Sequence, residues 1–404
     1  MNFSFKDLFA GHDSNSFVDN YFEKKVLHGK SLVDIETLNS IFSFVEFQKV
    51  LWIVDQTMHD RAGVIDVVTN KEEKKPGRIS HPGNYSKWVM DNYKQGSTLL
   101  LNKAQRFSEN IATLQRLIEA ELNFKVSTNI YISPENANCF DIHFDTHDTF
   151  IIQLEGSKNW QIFDRYIEAP LEEQNHSIKL SDLKNQVPTM QFNLMPGEIL
   201  YIPRGIPHLV QTLDTQSIHM TLSFKTCKWI DVFSEALNQF ALQNSFFRET
   251  ASAKLSTRQD QKKFNEIAEG LFYFLQDKMT ARASFDWQLK RMTHSLLPLS
   301  YHKFPQPLPA EVNLTTVLGH KNGAVLNVCL EGDYACLSYP GVGMENGVPS
   351  LPGSIKFPSR LETTLRFIAQ NPTFAIADLP GPLTEKSKLI LAERLVKEEV
   401  LEIK

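Results

Sequence analysis

The chain has 404 residues, of which 42% are hydrophobic, and its formal net charge at pH 7 is −5. A chain of this length exceeds one typical hydrophobic core, so we expect it to form two or three domains. The slightly negative charge argues against a protein whose main task is to grip nucleic-acid phosphates.

The positions of the cysteines and the hydropathy of the chain indicate its cellular compartment. The cysteines are scattered, and none forms a C-x-x-C pair: Cys139, Cys227, Cys329 and Cys336. The N-terminus lacks the charged and then apolar run of a signal peptide, and no apolar run approaches membrane-spanning length. We therefore expect a cytoplasmic protein with no membrane partner.

Short strands separated by turns are predicted through the middle of the chain. Residues 96–101 predict a strand, and apolar residues at helical spacing then predict a helix on its flank: Ala112, Leu114, Leu117, Ile118 and Leu122. Residues 126–224 show further short apolar runs and turns, interrupted by an irregular insert over 164–190. This pattern is typical of an antiparallel double-stranded β-helix.

One stretch among these strands combines imidazole and carboxylate groups. It runs F-D-I-H-F-D-T-H over residues 140–147. Side chains two apart on a strand share a face, so His143 and Asp145 are predicted to point together, with His147 on the same face. An imidazole and a carboxylate side by side are two-thirds of a facial triad, the ligand set that leaves open positions on a non-haem Fe(II).

The third ligand has a candidate further along the chain. The segment M-P-G-E-I-L-Y-I-P-R-G-I-P-H over residues 195–208 predicts a turn, an apolar strand and a bend that redirects His208. We therefore expect His143, Asp145 and His208 to bind one Fe(II).

A candidate cation follows the first two ligands. Residues 150–163 contain two apolar runs about a short turn with Gly156, which is a hairpin signal. In the second run Lys158, Trp160 and Ile162 share a face. If that face lines the inside of a barrel, Lys158 needs an anionic partner, because an unpaired buried ammonium is costly. A dicarboxylate co-substrate beside the iron would supply one.

These motifs resemble those of the JmjC cupins. The resemblance rests on His143 and Asp145, on the basic residue Lys158 fifteen positions beyond the first histidine, and on the P-R-G-x-x-H segment that ends at His208. Other segments extend the match: N-I-Y-I-S-P over 129–134, Q-L-E-G over 153–156, S-I-H-M-T-L over 217–222 and F-P-S-R-L-E over 357–362. Within the JmjC cupins the chain is most similar to the ribosomal oxygenases, and the resemblance runs along its whole length.

The resemblance implies an oxygenase that depends on Fe(II) and 2-oxoglutarate, consumes O2, and releases succinate and carbon dioxide. It implies that Lys158 anchors the distal carboxylate of 2-oxoglutarate and that the Tyr131 hydroxyl assists, although Tyr131 alone would be assigned to the core. His219 shares a polar face with Thr221. The resemblance places both near the metal or the co-substrate, whereas the alternative for His219 is a satisfied core histidine.

Two further features concern the substrate. His147 departs from the family pattern, which usually has an apolar residue there. His147 either competes for the metal or lies at the end of its strand, where it meets substrate or solvent. The second alternative is favoured because His143, Asp145 and His208 already complete the triad. The insert carries Glu168, Glu172 and Glu173, which either attract a basic peptide or form only a solvated loop.

Beyond Lys225 the composition shifts to helix. Two apolar stripes are predicted, one of Ile230, Phe233, Leu237 and Phe240, and one of Phe264, Ile267, Leu271 and Leu275. These faces would either cover the barrel or pair two chains. The resemblance favours a dimerisation module and therefore a homodimer.

A proline-rich linker over 297–309 precedes the last unit, which resembles the winged-helix end of the ribosomal oxygenases. Residues 303–404 contain ten Lys or Arg and eleven Asp or Glu, a balance without the basic footprint of a DNA reader. We predict a mainly β JmjC catalytic domain with a helical flank at 1–225, a helical dimerisation module at 226–300, and a winged-helix-like α+β domain at 301–404. We expect no direct nucleic-acid partner.

The predicted activity is hydroxylation of a side chain in a protein or peptide, either a ribosomal protein or a biosynthetic precursor peptide. Two alternatives stay open. A JmjC-type demethylase of N-methyl-lysine is disfavoured because no chromatin-reading element is visible. A metal-binding cupin scaffold without turnover is disfavoured by the intact triad together with Lys158.

Overall fold

A computed structural model gives the fold of the chain. It describes residues 3–57, 64–69, 72–74, 83–138, 140–176, 183, 186–250, 258–296, 312–321, 324–340, 343–345, 348–350 and 353–404. The chain divides into two compact units, Met1–Lys225 and Thr226–Lys404. The predicted boundary near residue 300 lies outside the described residues, so the further division of the second unit stays a prediction.

Two antiparallel sheets form the first unit. Its described strands are β1 (Leu27–Lys30), β2 (Ile65–Thr69), β3 (Glu72–Lys74), β4 (Thr98–Leu101), β5 (Lys125–Ser133), β6 (Asp148–Glu155), β7 (Lys158–Ile162), β8 (Met190–Leu194), β9 (Glu198–Ile202), β10 (His208–Thr212) and β11 (Ser217–Lys225). The larger sheet has the order β1-β9-β6-β11-β5-β4-β2-β3, and the smaller sheet has the order β10-β7-β8. The structure thus confirms the predicted β-rich domain.

The strands β6 and β7 are consecutive in the chain but belong to different sheets. β6 pairs with β9 and β11, whereas β7 pairs with β8 and β10. The predicted hairpin over residues 150–163 is therefore wrong. At the turn, Gly156 has a φ of +61°, and a Cβ there would lie 2.0 Å from the carbonyl oxygen of Gln216. Glycine permits this close crossing between sheets, which apolar alternation alone does not reveal.

Helices flank the larger sheet: α1 (Phe5–Leu8), α2 (Ser14–Asn20), α3 (Ile35–Ile41), α4 (Phe44–Thr57), α5 (Asn84–Lys94) and α6 (Glu109–Leu122). The predicted helix is confirmed as α6. It begins after Ser108, whose hydroxyl accepts a hydrogen bond from the Ile111 N–H, and it ends at Asn123 in the left-handed conformation. Its buried face, which includes Leu114 and Ile118, packs in the main core of the unit.

The second unit joins helices to short strands. Its helices are α7 (Trp229–Gln243), α8 (Arg258–Gln276), α9 (Lys278–His294), α10 (Glu362–Gln370) and α11 (Glu385–Lys397). Its described strands are β12 (Val317–His320), β13 (Asn327–Glu331), β14 (Tyr334–Tyr339), β15 (Gly343–Glu345), β16 (Val348–Ser350), β17 (Gly353–Pro358), β18 (Thr373–Ala375) and β19 (Leu401–Ile403). They form the sheets β18-β12-β19, β13-β14-β17 and β15-β16.

The apolar stripes of α7 and α8 are only partly buried. Phe240 is 6% exposed and packs against Phe247 and Phe274. In contrast, Phe233 is 52% exposed and Phe264 is 66% exposed. Among the helices that the structure describes, none is both long and apolar enough to cross a membrane.

Candidate active site

A cavity of about 470 Å³ opens in the first unit, with walls from both sheets. The volume lies in the range typical of sites for small ligands. All the residues predicted to bind the metal or the co-substrate line it: Tyr131, His143, Asp145, Lys158, His208, His219 and Thr221. The structure therefore brings together residues that are widely separated in the chain.

His143 and His208 lie opposite each other in an isolated β-bridge. The N–H of His208 donates to the carbonyl of His143 over 2.8 Å, and the N–H of His143 donates to the carbonyl of His208 over 3.2 Å. Residues 140–147, all of them described, form no regular strand. The prediction that these side chains align along one strand is therefore wrong, because the bridge to His208 positions His143 instead.

The backbone orients both imidazoles. Nδ1 of His143 lies 2.7 Å from the carbonyl oxygen of Asp141, and Nδ1 of His208 lies 3.2 Å from that of Ile206. A carbonyl oxygen only accepts, so Nδ1 carries the proton in each ring and Nε2 keeps its lone pair. Burial and the neighbouring His143 lower the pKa of His208 to about 4. A neutral imidazole held through Nδ1 is the usual state of a metal-ligating histidine.

Asp145 completes what we call the ligand triad, His143, Asp145 and His208. One ligand atom of each residue lies within 4.8 Å of the other two. Asp145 Oδ2 is 4.0 Å from His208 Nε2. Burial alone would raise the pKa of Asp145, whereas positive charge on the adjacent imidazoles lowers it below its usual value. Two neutral nitrogens and one carboxylate are the donor set of a facial triad.

Gly205 joins the two segments that supply the triad. Its N–H donates to the carbonyl oxygen of Asp145 over 2.9 Å. Its φ is +81°, and a Cβ there would lie 2.0 Å from the carbonyl oxygen of Ile167. Only glycine tolerates both the backbone angle and the close approach. The glycine of the P-R-G segment therefore fixes the turn that leads into His208.

Lys158 is 2% exposed on β7. Its Nζ donates to the Ser133 hydroxyl over 2.8 Å, and the same hydroxyl accepts a hydrogen bond from Thr98 over 2.9 Å. The Nζ also lies 6.0 Å from the centre of the Tyr131 ring. An ammonium group buried this deeply makes its part of the cavity suitable for an anion.

Three rings, those of Tyr131, Trp160 and His219, line the cavity together with Lys158 and the triad. Tyr131 and His219 face each other across β5 and β11, with stacked rings whose centroids are 4.7 Å apart. The ring centroid of Trp160 lies 5.9 Å from that of His208 and 6.0 Å from that of His219. Burial and then Lys158 lower the pKa of His219. Its Nδ1 and the Nε1 of Trp160 are buried without a hydrogen bond in the described part of the chain, so both suit a polar ligand.

A buried polar network, not predicted from the sequence, links the two triad segments. The Tyr201 hydroxyl donates a hydrogen bond to Asp148 Oδ1 over 2.6 Å. The backbone N–H of Arg204 donates to the same oxygen over 3.4 Å. The buried Arg204 side chain pairs with Glu23, and burial raises the pKa of Asp148. The sequence shows this arginine as part of the P-R-G segment, but no local pattern predicts that it lies beside Asp148 or Glu23.

His147 and the acidic insert are not among the described residues that line the cavity. His147 is partly exposed and immediately precedes β6. Glu168, Glu172 and Glu173 are exposed. Glu168 pairs with Arg165 over 2.8 Å.

Comparison with known proteins identifies the domain that holds the cavity. The JmjC domain family matches residues 100–232. Ribosomal oxygenase 1 of Danio rerio is 28% identical over 224 residues, which are 54% of this chain and 40% of that protein. The bifunctional lysine-specific demethylase and histidyl-hydroxylase NO66 of Dictyostelium discoideum is 26% identical over 243 residues, which are 59% of this chain and 42% of that protein. The chain thus matches less than half the length of these curated relatives.

Solved structures share the fold. The ribosomal oxygenase YcfD of Escherichia coli in complex with cobalt and 2-oxoglutarate has a TM-score of 0.53 and 17% identity, covering 96% of this chain and 98% of that chain. Its complex with cobalt and succinic acid has a TM-score of 0.51 and 16% identity over the same shares. Residues 100–232, which match the JmjC domain family, include the ligand triad and all the other described residues that line the cavity.

Proposed function

We propose that the chain is an Fe(II)- and 2-oxoglutarate-dependent oxygenase that hydroxylates a side chain of a protein or peptide. One observation carries this proposal: the ligand triad converges, with ligand atoms within 4.8 Å of one another, in a cavity that also holds the buried Lys158. A metal-ligand set and a buried cation in one cavity match a metal and an anionic co-substrate. The JmjC domain and the ribosomal-oxygenase relatives support the same function.

The ligand triad fits iron(II). Its two imidazoles and one carboxylate are the donors that non-haem iron oxygenases use, and a set of three protein ligands leaves positions open for the co-substrate and O2. When bound, Fe(II) would supply the oxidation of an unactivated carbon, coupled to conversion of 2-oxoglutarate to succinate and carbon dioxide. The chain's own residues hold the ligands in place through the His143–His208 bridge and the Gly205 turn.

Lys158, Tyr131, His219 and Thr221 are proposed to bind 2-oxoglutarate. Lys158 would bind the distal carboxylate through a charge-assisted hydrogen bond, since its Nζ is buried and is oriented by Ser133. Tyr131 and His219 form one stacked wall of the cavity, and the unsatisfied Nδ1 of His219 suits a polar group of the ligand. Thr221 lies on the same strand and also lines the cavity.

The proposed substrate is a flexible segment of a ribosomal protein or of a biosynthetic precursor peptide. The relatives named ribosomal oxygenases support a protein substrate. The exposed Glu172 and Glu173 favour a basic segment through electrostatic steering. The near balance of Lys or Arg and Asp or Glu over residues 303–404 supports a C-terminal domain that serves assembly or partner docking and binds no nucleic acid.

We also propose a cytoplasmic homodimer, paired through α7 and α8, with a winged-helix-like C-terminal domain. These two helices expose a set of large apolar side chains: Trp229, Ile230, Phe233, Phe264, Phe272 and Tyr273. Symmetric two-fold pairing is the commonest way in which chains bury such a surface.

Turnover by the full chain tests the proposed activity. The purified protein is supplied with Fe(II), 2-oxoglutarate, O2 and a panel of basic peptides that includes segments of ribosomal proteins. We expect succinate together with a peptide heavier by one oxygen atom, and neither of them with His143→Ala, whose thermal unfolding is checked in parallel. A peptide lighter by one methylene, with release of formaldehyde, would assign demethylation instead. Turnover limited to small metabolites would contradict a peptide substrate.

A further inference from the structure

The hairpin of β13 and β14 brings two cysteines together in the second unit. Gly332 and Asp333 form its two-residue turn, and the register places Cys329 directly opposite Cys336. Opposite residues of an antiparallel pair point to the same face, and so does Glu331, which is two residues from Cys329. Both cysteines are buried, and neither forms a disulfide.

The two thiols and the Glu331 carboxylate form a compact group, which we call the thiol cluster. One ligand atom of each residue lies within 4.8 Å of the other two. Cys329 Sγ donates a hydrogen bond to Glu331 Oε1 over 4.0 Å, and the Cys336 thiol lies beside the same carboxylate.

Two lysines orient this carboxylate. Lys290 on α9 pairs with Glu331 Oε1, and Lys356 on β17 lies 3.0 Å from Oε2. Partial burial opposes ionisation, but the hydrogen bonds from Lys290 and Lys356 lower the pKa of Glu331 to about 2. Ligating carboxylates are themselves held by hydrogen bonds in metal sites. The two ammonium groups also offset the charge that two thiolates would add.

We propose that Cys329, Cys336 and Glu331 form a second metal site, suited to a divalent ion of the zinc class. Two sulfur donors and one oxygen donor are softer than the nitrogen and oxygen donors of the ligand triad, so this site favours Zn²⁺ or Cd²⁺ over Fe(II). Three protein ligands leave the fourth tetrahedral position for water. The proposal is independent of the oxygenase function, because it rests on residues of the other unit.

Metal binding at this site must displace the thiol protons. Burial and then Glu331 raise the pKa of Cys336 to about 12, and burial raises the pKa of Cys329. The titratable groups around the cluster are Asp286, Lys290 and His294 on α9, Tyr334 on β14 and Lys356 on β17. Because the thiolate is the ligand, each metal ion bound should release two protons, and binding should strengthen as pH rises.

Cadmium titration of the full chain tests the site. Thiolate ligands give Cd²⁺ an ultraviolet charge-transfer absorption that the ligand triad, which has no sulfur, does not produce. We expect one equivalent of Cd²⁺ to produce this absorption with release of two protons. The matched control is Cys139→Ser/Cys227→Ser, which keeps only the thiols of the cluster and should retain the full signal. Glu331→Gln should weaken binding about tenfold or more, because an anionic ligand is lost.

Substitution of either clustered cysteine provides the converse test. Cys329→Ser and Cys336→Ala should each abolish the stoichiometric absorption, and circular dichroism should show that each variant is folded. The cadmium titration of the wild-type chain remains a valid test of the site even if a variant unfolds. No thiolate absorption in the folded wild-type chain would overturn the proposal. So would a signal that is lost in the Cys139→Ser/Cys227→Ser control, or a Cys329–Cys336 disulfide found by mass spectrometry in the protein as purified.

Discussion

His143 and His208 exchange two backbone hydrogen bonds, of 2.8 and 3.2 Å, and thereby pair two imidazoles that lie far apart in the chain. The centroids of the two rings are 4.4 Å apart. Each ring is further oriented by a carbonyl oxygen two residues before it. The backbone pairing thus holds the two imidazoles of the ligand triad beside each other, as a preorganised metal site requires.

Lys158→Ala should weaken binding of 2-oxoglutarate while leaving metal binding intact. A charge-assisted hydrogen bond is worth about 1.5–3 kcal/mol, so the expected loss is roughly ten- to hundredfold in affinity. Isothermal titration with Mn²⁺ in place of Fe(II) measures this affinity without turnover. Lys225→Ala, an exposed lysine at the end of β11, is the matched control and should bind normally. An unchanged affinity of Lys158→Ala would place the anchoring cation elsewhere.

Arg204→Met should destabilise the first unit, because Arg204 Nε lies 4.0 Å from Oδ2 of the buried Asp148 and the variant removes this cation. Removing one partner of a buried ion pair costs about 3 kcal/mol or more in free energy of unfolding. Asp148→Asn removes the charge that is left behind, so the double variant should lose less stability than the sum of the two single variants. Urea unfolding of all four proteins measures the coupling. Strict additivity would mean that the two side chains do not act together.

All seven residues predicted to bind the metal or the co-substrate are among those that line the cavity. The spacing of the motifs indicated the ligand triad and the face of Lys158, and the family resemblance indicated Tyr131, His219 and Thr221. The sequence did not predict the local structure at places where it depends on backbone pairing between distant segments. The F-D-I-H-F-D-T-H stretch is irregular, and its histidine is positioned by a bridge to His208. The predicted hairpin after it diverges at Gly156, since each strand finds partners in a different sheet.

The thiol cluster was missed for a related reason. A search for C-x-x-C pairs passes over Cys329 and Cys336, which are separated by a hairpin turn. The G-D turn between two β-prone runs could have indicated the cluster, because a two-residue hairpin turn fixes which residues of the two strands lie opposite each other. The Asp148–Arg204–Glu23 network had no such local signal, as its members come from three distant segments.

Exposed phenylalanines on α7 and α8 should hold the proposed dimer. Phe233→Asp with Phe264→Asp places charges on side chains that are 52% and 66% exposed, so we expect folded monomers by light scattering at micromolar concentration. Phe240 is unsuitable for this purpose because it is buried within its own unit. Ile390→Asp, on the exposed face of α11, is the control and should stay dimeric. A wild-type chain that is already monomeric would contradict the proposed dimer.

Turnover of a basic peptide should fall as salt rises, mainly through its apparent affinity. Charges on an exposed surface are screened beyond about 8 Å at physiological ionic strength. Glu172→Gln/Glu173→Gln should flatten this dependence, whereas Glu168→Gln should change it little because Glu168 already pairs with Arg165. Steady-state kinetics between low and physiological salt provide the comparison. A salt dependence that is identical in the double variant and the wild type would rule out steering by the insert.

The ligand triad should bind Fe(II), and 2-oxoglutarate should bind beside it in the same cavity. Anaerobic absorption spectroscopy measures this directly, since 2-oxoglutarate chelated to Fe(II) gives a visible charge-transfer band that neither component shows alone. We predict that the band appears when both are added to the wild-type chain, and that it is absent in His208→Ala and in Asp145→Ala at equal protein concentration. A wild-type protein that shows no band with saturating Fe(II) and 2-oxoglutarate, or a band of equal intensity in both variants, would contradict the assignment.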